Sequence, residues 1–415
     1  MFALSIPGLC PISPLPHLDT PCANRSVWNM GDYYEFFAGG GMARAGLGAG
    51  WNCLFANDFD PMKADAYRAN WGGEHLHVED INTLTTAALK GKAQLAWASF
   101  PCQDLSGAGN QNGIGHWASG AQTRSGTFWP FIRLMRELKE ERRAPEMIVL
   151  ENVPGTLTAN GGKDFVAICS AFSGLEYRFG AVIIDASLWV PQSRARMFMI
   201  GVRSDIAIPP ALKLDAPGPH FHTDVLLKSH RGLTPEAQRK WIWWNVKAPP
   251  IRKTTFTDLI EDEPQGVRWH NREETRRLLR MMSVVNRAKV AAAVKLRHRI
   301  VGGVYKRTRL HDGLKQQRAE VRFDDVAGCL RTPAGGSSRQ TLLVIDKGKI
   351  RSRLLSPREA ARLMGLPDSY KLPENYNDAY HVAGDGVVVP VVRHIARTIL
   401  SPIQEGQRAP ALKIA

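Results

Sequence analysis

Cys102 stands in Phe100-Pro101-Cys102-Gln103, directly after the apolar run Leu95 to Ser99, which reads as a buried strand. That placement puts a thiol at the carboxyl end of a strand, where open α/β sheets collect their chemistry. Glycines follow at 107, 109, 113, 115, 120 and 126, a segment too flexible for a core and well suited to a lid. A thiol held rigidly beneath a mobile cover is the arrangement a covalent catalyst needs. By itself the short match carries little; the order of the other pieces carries more.

A second group of residues outlines a pocket. The strand Tyr33 to Phe37 ends in Phe36-Phe37-Ala38-Gly39-Gly40-Gly41-Met42 and leads into a helix. Such a turn lets a ligand approach the backbone at a helix N-terminus. Gly39 and Gly41 fit the first two positions of the dinucleotide spacing, but Arg44 occupies the third, which disfavours NAD. The next strand, Trp51 to Asn57, is followed by Asp58, 19 residues past Gly39, where an acid can accept from both hydroxyls of a ribose. Phe59 is placed to stack on an adenine, and Asp80, beside Ile81, to receive its amino group. Singly, each acid reads as a helix cap or a surface charge. Together they describe a site for an adenosine without a pyrophosphate.

The elements that must position these residues alternate. Strand-like runs at 33–37, 51–57, 95–99, 147–150, 177–184 and 197–202 are interleaved with helical spacing at Phe128 to Leu138 and a Pro61 helix start. This rhythm predicts a parallel, doubly wound α/β sheet. It fails after Arg203, where Pro209, Pro210, Pro217 and Pro219 mark a linker. Order returns near 350, where Ser356-Pro357-Arg358-Glu359 has the signature of a helix start, and a last helix is expected from Val391 to Leu400. The expected division is an arm over 1–29, a first part of the catalytic domain over 30–203, a second domain over 204–349, and a return over 350–405.

The chain has 415 residues and a net charge of +15. The span 203–330 holds 25 of the lysines and arginines, and from Arg287 to Arg309 there are eight basic residues and no acid. That is the electrostatic footprint of a polyanion partner, with a solvated helix face as the plainer alternative. Trp241, Trp243 and Trp244 lie in the same span and read as core sooner than as a docking surface. Six cysteines have no paired spacing for a metal or redox site, so no metal is expected, and free thiols suit a cytosolic compartment. The first 29 residues do not look like a signal peptide, and no stretch approaches the roughly 20 apolar residues of a membrane span.

Cys102 in Pro-Cys-Gln, Glu151 in Glu151-Asn152-Val153, and Gln192-x-Arg194-x-Arg196 occur in that order, each beside a strand. This resembles the DNA cytosine carbon-5 methyltransferase family over about residues 31–203 and 320–400. The resemblance implies a Rossmann-like domain binding S-adenosylmethionine and a smaller target-recognition domain facing double-stranded DNA across a cleft. It assigns Cys102 to attack ring carbon 6, Glu151 to ring nitrogen 3 and Arg196 to the base carbonyl and the thiolate. Gln192 and Arg194 are grouped with them, and Asn152 is left with either the active-site loop or the exocyclic amino group. Glu151 suits its task if burial raises its pKa. The cofactor set is Phe37, Gly39, Gly41, Asp58, Phe59, Asp80, Ile81, Pro101, Phe128, Asp385 and Val387. Ser106, Arg124, Lys295, Arg297, Arg299, Lys306, Arg307 and Arg309 are the DNA-contact candidates. Further matches are Ser125-Gly126-Thr127-Phe128, Arg331-Thr332-Pro333 with Gly335-Gly336, and Gly384 to Val387, expected to return over the cofactor.

Several positions depart from the family. Glu35 stands where aspartate is frequent, Met42 for a glycine, Leu105 for an aromatic, and Asp385 for an asparagine. An ionised carboxylate at 385 can accept a hydrogen bond but not donate one. The expected function is a bacterial or phage modification enzyme, acting as a monomer, with a restriction endonuclease as functional partner. A tRNA methyltransferase of the same chemistry, a non-catalytic DNA-binding protein and a nicotinamide oxidoreductase are the rivals.

Overall fold

The computed structural model describes residues 30–105, 113–115, 123–311, 314–331 and 339–412. The arm over 1–29 therefore lies outside the described residues, as does most of the glycine-rich segment. Seven strands form the large sheet: β1 (Gly31–Phe36), β2 (Trp51–Asn57), β3 (Leu76–His77), β4 (Leu95–Ala98), β5 (Met147–Asn152), β6 (Tyr177–Asp185) and β7 (Ala195–Arg203). Their order is β3-β2-β1-β4-β5-β7-β6. The runs LAWA of β4 and MIVLEN of β5 are buried along their whole length, as central strands covered on both faces must be.

The expected all-parallel direction holds for every strand of this sheet except β7. Strand β7 runs antiparallel to both neighbours, pairing Glu151 with Phe198 and Ile184 with Arg196. The short connection 186–194 accounts for this, because it is too short for a crossover and can only turn back. Sequence order reverses between β1 and β4, so the carboxyl ends of those strands flank the crevice of a doubly wound sheet.

Helices α1 (Met42–Leu47), α2 (Pro61–Trp71), α3 (Phe128–Glu140) and α4 (Lys163–Gly174) cover the faces. Helix α2 starts as its sequence predicts: Asp60 caps Met62 N and Pro61 takes the first turn. After β7, α5 (Asp224–Arg231), α6 (Pro235–Arg239) and the two-residue strands β8 (Lys213–Leu214) and β9 (Trp243–Trp244) lie against the large sheet. Trp244 is 1% exposed and donates to Gly180 O and Ile200 O at 3.2 and 3.3 Å, so it belongs to the main core. Ile206, Leu212, Phe221, Phe256 and Ile260 join the same core. The linker read at 204 thus opens a segment that packs on the first domain, because its apolar residues find the open face of β6.

A separate core of Leu278, Met282, Val290, Val304, Ala319, Val321, Leu343 and Ile345 marks a second, smaller unit. It consists of α7 (Arg272–Arg280) and α8 (Val284–Lys295) under an antiparallel sheet. The strands are β10 (Ile300–His311), β11 (Leu314–Arg322), β12 (Thr341–Asp346) and β13 (Lys349–Leu354), in the order β11-β10-β12-β13. The chain then returns through α9 (Pro357–Leu363), α10 (Tyr376–Asp385), α11 (Val389–Ile395) and α12 (Ser401–Leu412). Helix α9 carries the capping box read from the sequence, Ser356 with Glu359. The same Glu359 is fully buried against Arg353, with Nη1 at 2.7 Å, which joins β13 to α9.

The C-terminal return also completes the main core. The stretch Tyr376–Gln407 has the length and apolarity of a membrane span. Val389, Val391, Val392, Ile395, Ile399, Leu400 and Ile403 on it are buried in the main core, where α11 packs on α1.

Candidate active site

The segment after β4 is fastened from three directions. Asn152, 1% exposed at the end of β5, donates from Nδ2 to Phe100 O at 3.0 Å and accepts from Val153 N at 2.8 Å. Ser125 donates from Oγ to Pro101 O at 2.7 Å, and its N–H reaches Asp104 Oδ2 at 3.1 Å. Leu105 N closes a turn on Cys102 O at 3.1 Å. Of the two tasks left open for Asn152, its side chain is engaged in the first, holding the loop. Asp104 and Ser125 are anchors whose roles the sequence did not signal, since aspartate and serine are ordinary turn residues.

The side chains around Cys102 come from the other central strands. Arg196 Nε lies 3.1 Å from Glu151 Oε1, with the two side chains 13% and 9% exposed. Burial pushes the Cys102 thiol above its ordinary range, with Arg196 opposing and Glu151 and Asp385 adding to the rise. Arg194 is 3% exposed and reaches Leu330 O at 3.1 Å, Gly384 O at 3.0 Å and Gly386 O at 2.8 Å. Gln192 is fully buried, donating to Leu363 O at 2.8 Å and accepting from Leu330 N at 3.1 Å. These two were grouped with the reacting residues; the structure instead uses their hydrogen-bonding groups to clamp β7, the 327–330 segment and the C-terminal return together. Arg194 still adds positive potential at Cys102.

A second thiol joins this cluster. Cys329 Sγ is 3.4 Å from Arg194 Nη1 and 3.9 Å from Arg196 Nη2. Burial favours its neutral form, yet the two arginines outweigh burial and hold its pKa below the ordinary value. Nothing in the spacing of the cysteines separates Cys329 from the other five.

On the other side of the crevice, Phe37 has φ +58 and Gly39 and Gly41 have φ +55 and +78, a left-handed turn that glycine adopts without strain. A Cβ added at Gly39 would meet nothing within 4 Å, so there is room above the turn. Asp58 is 6% exposed and accepts from Gly39 N at 2.8 Å and Asp60 N at 3.0 Å. Phe59 is 68% exposed, an aromatic face without cover beside a buried acid. Room over the glycine turn, a buried acceptor and a bare ring together fit an adenosine.

The remaining members of the expected cofactor set have partners within the protein. Asp80 accepts from Asn82 N and Nδ2 at 2.9 and 2.8 Å and so caps its own turn. Ile81 and Val387 are 3% and 4% exposed and belong to the two main cores. Phe128 is fully buried against Phe100 and Trp129, so it supports the Pro101-Cys102 segment from below and lines no open surface. Asp385 forms an ion pair with Lys63 Nζ at 2.8 Å. Arg44 turns away from the crevice to stack on Tyr67 and Trp71.

The basic candidates also separate. Ser106 lies outside the described residues, with Thr332, Pro333, Gly335 and Gly336. Arg124 donates to Gln103 Oε1 at 2.7 Å beside the Cys102 turn. Lys295 and Arg297 are exposed at the end of α8. Arg299 is engaged within the protein, 3.0 Å from Asp262 Oδ1 and donating to Ile260 O at 2.9 Å. Lys306 and Arg307 are on β10, Arg307 lying 3.5 Å from Glu320, and Arg309 stands opposite Gln316 in the register. Among the described residues, no group of three or more His, Cys, Asp or Glu is placed to hold a metal.

The family model for C-5 cytosine-specific DNA methylases matches residues 32–401. The chain is 26% identical over 374 residues to the Type II methyltransferase M.HhaI of Haemophilus parahaemolyticus, covering 89% of this chain and 94% of that protein. It is 25% identical over 403 residues to M.HpaII of Haemophilus parainfluenzae, covering 92% and 93%. Among solved structures, S. pombe Dnmt2 methyltransferase aligns with a TM-score of 0.53 at 15% identity over 90% of this chain and 99% of its own. A putative DNA modification methyltransferase encoded within an E. coli prophage gives 0.53 at 16% over 88% and 97%.

Proposed function

Because the chain belongs to the C-5 cytosine-specific DNA methylase family, we propose that this methyltransferase acts on carbon 5 of a cytosine flipped out of a specific duplex DNA sequence. The observation that carries this reading is the Glu151–Arg196 pair, at the end of β5 and the start of β7, acting on Cys102 just past the end of β4. Bound S-adenosylmethionine would supply an electrophilic methyl group; Asp58, Phe59 and the Gly39 turn would hold its adenosine.

Carbon 5 of cytosine is a weak nucleophile, so the protein's residues must activate the ring. Cys102, as thiolate, adds to carbon 6, and the electron pair displaced from the 5,6 double bond makes carbon 5 nucleophilic. Glu151 delivers a proton, or a hydrogen bond as an acid, to nitrogen 3. Arg196 binds the carbonyl oxygen and offsets the cost of ionising a buried thiol. After methylation, a solvent water takes the carbon-5 proton, the electron pair restores the 5,6 double bond and expels Cys102 as thiolate, and nitrogen 3 returns its proton to Glu151. A base inside a duplex presents neither face to a thiol, so extrusion precedes attack.

The basic second domain supports a duplex partner, and the likeness to Type II methyltransferases supports a modification role; this reading has the protein act as a monomer in the bacterial cytosol, paired functionally with a restriction endonuclease. Tritiated S-adenosylmethionine offered with duplex DNA or tRNA tests the substrate, and label confined to tRNA would replace DNA by RNA. A 5-fluorocytosine duplex of the right sequence tests the mechanism. A donor-dependent adduct at Cys102, lost in Cys102→Ser, is expected. Methylation surviving that substitution refutes it.

A further inference from the structure

We propose that Lys63 is a positioning residue for the cofactor: its ion pair with Asp385 holds that carboxylate as the acceptor for the amino-acid ammonium of S-adenosylmethionine. This rests on the functional reading above and extends it to a residue on α2.

Asp385 ends α10, and Lys63 lies in the first turn of α2; their charged atoms are 2.8 Å apart. The segment around Asp385 is fixed on both sides. Arg194 binds the carbonyls of Gly384 and Gly386. A Cβ at Gly386 would come within 2.0 Å of Met42 Sδ, so the Met42 side chain occupies the space a side chain at 386 would need.

The place of Asp385 in the crevice follows from its electrostatic neighbours. Asp385 adds to the rise of the Cys102 thiol on one side, and its ion-pair partner Lys63, 2.8 Å away, opposes the burial of Asp58 on the other. Asp58 marks the ribose end of the pocket. The methyl-bearing sulfur would face the substrate of Cys102, so Asp385, which acts on that side, would be the residue to meet the amino-acid tail. A carboxylate repels the tail's carboxylate and can only accept, which leaves the ammonium as its partner.

Asp385, Asp58 and Asp60 all act on one cation. Lys63 answers all three. Burial alone would depress its pKa, yet Asp385, Asp58 and Asp60 outweigh burial and hold it above the ordinary value. The Asp385 departure from asparagine is therefore accompanied by a nearby cation that makes an acceptor tolerable there.

The experiment is a double-mutant cycle on Lys63→Met and Asp385→Asn, read by calorimetric binding of S-adenosylhomocysteine and of methylthioadenosine, which lacks the tail. Lys63→Met is expected to weaken S-adenosylhomocysteine roughly fivefold to tenfold, non-additively with Asp385→Asn. The double variant should recover part of the loss, because no carboxylate is left unpaired. Methylthioadenosine should bind all variants alike, and KM for the methyl donor should rise by a larger factor than kcat falls. Additive losses, or equal losses for both ligands, overturn the proposal, as does an indifferent Lys63→Met. If Lys63→Met does not fold, the double variant should bind S-adenosylhomocysteine as Asp385→Asn does, because Lys63 acts through that carboxylate, and a further loss overturns the proposal. A parent protein that binds neither ligand refutes the functional reading itself, which separates the two failures.

Discussion

Arg196 Nε and Glu151 Oε1 meet at 3.1 Å because β7 begins where β5 ends and runs back along it. The pair joins a strand start to a strand end, a contact that an all-parallel sheet would forbid. It also sets a cation against the burial that keeps Cys102 protonated.

Arg196→Met should therefore lower methylation by about a hundredfold or more, the usual cost of removing a donor from a developing negative charge. Alkylation of Cys102 should move to higher pH in the same variant, since the charge opposing burial is gone. An unchanged alkylation profile, followed by mass spectrometry on the 102 peptide, would contradict this account.

Asn152→Ala removes the donor that holds Phe100 O. A stability loss of about 1–3 kcal/mol is expected from the orphaned carbonyl. A larger fall in single-turnover rate should accompany it as the nucleophile loses its position. Asn152→Asp should not rescue either property, because an ionised carboxylate cannot donate. Denaturant titration and rapid-quench assays measure the two effects.

Burial pushes Glu35 up to about 8, with Arg44 opposing. In an unfolded chain a glutamate ionises near ~4.3. Between those two pH values the folded protein binds the extra proton, so this group's contribution to stability falls as pH rises through that window and is flat above it. Glu35→Gln removes that slope. Its stability relative to the parent should improve steadily from about pH 5 to about pH 8, and a difference independent of pH would rule the assignment out.

Binding to DNA should weaken steeply with salt. Replacing both exposed residues Lys295 and Arg297 by alanine should reduce the slope of log K against log salt by roughly 1 to 2. Arg299→Ala should instead lower the melting temperature and leave the slope alone, because its guanidinium is committed to Asp262 and Ile260. Filter binding across a salt series, beside calorimetry, separates the two.

Much of this protein is written in local sequence. The alternation that produces the sheet, the α2 and α9 starts, the glycine turn and the strand-end placement of Cys102 are short-range patterns. Steric and hydrogen-bonding rules of neighbouring residues decide them. Partnership is not local. Gln192 and Arg194 lie in the same short run as Arg196, yet depth in the interior makes them clamps while Arg196 reaches Glu151. Phe128 and Ile81 became core, Cys329 joined the arginines, and Lys63 found Asp385 only once α2 and α10 were packed together. A side chain's type is fixed by the chain, but its counter-charge and its share of water depend on which distant segment folds against it.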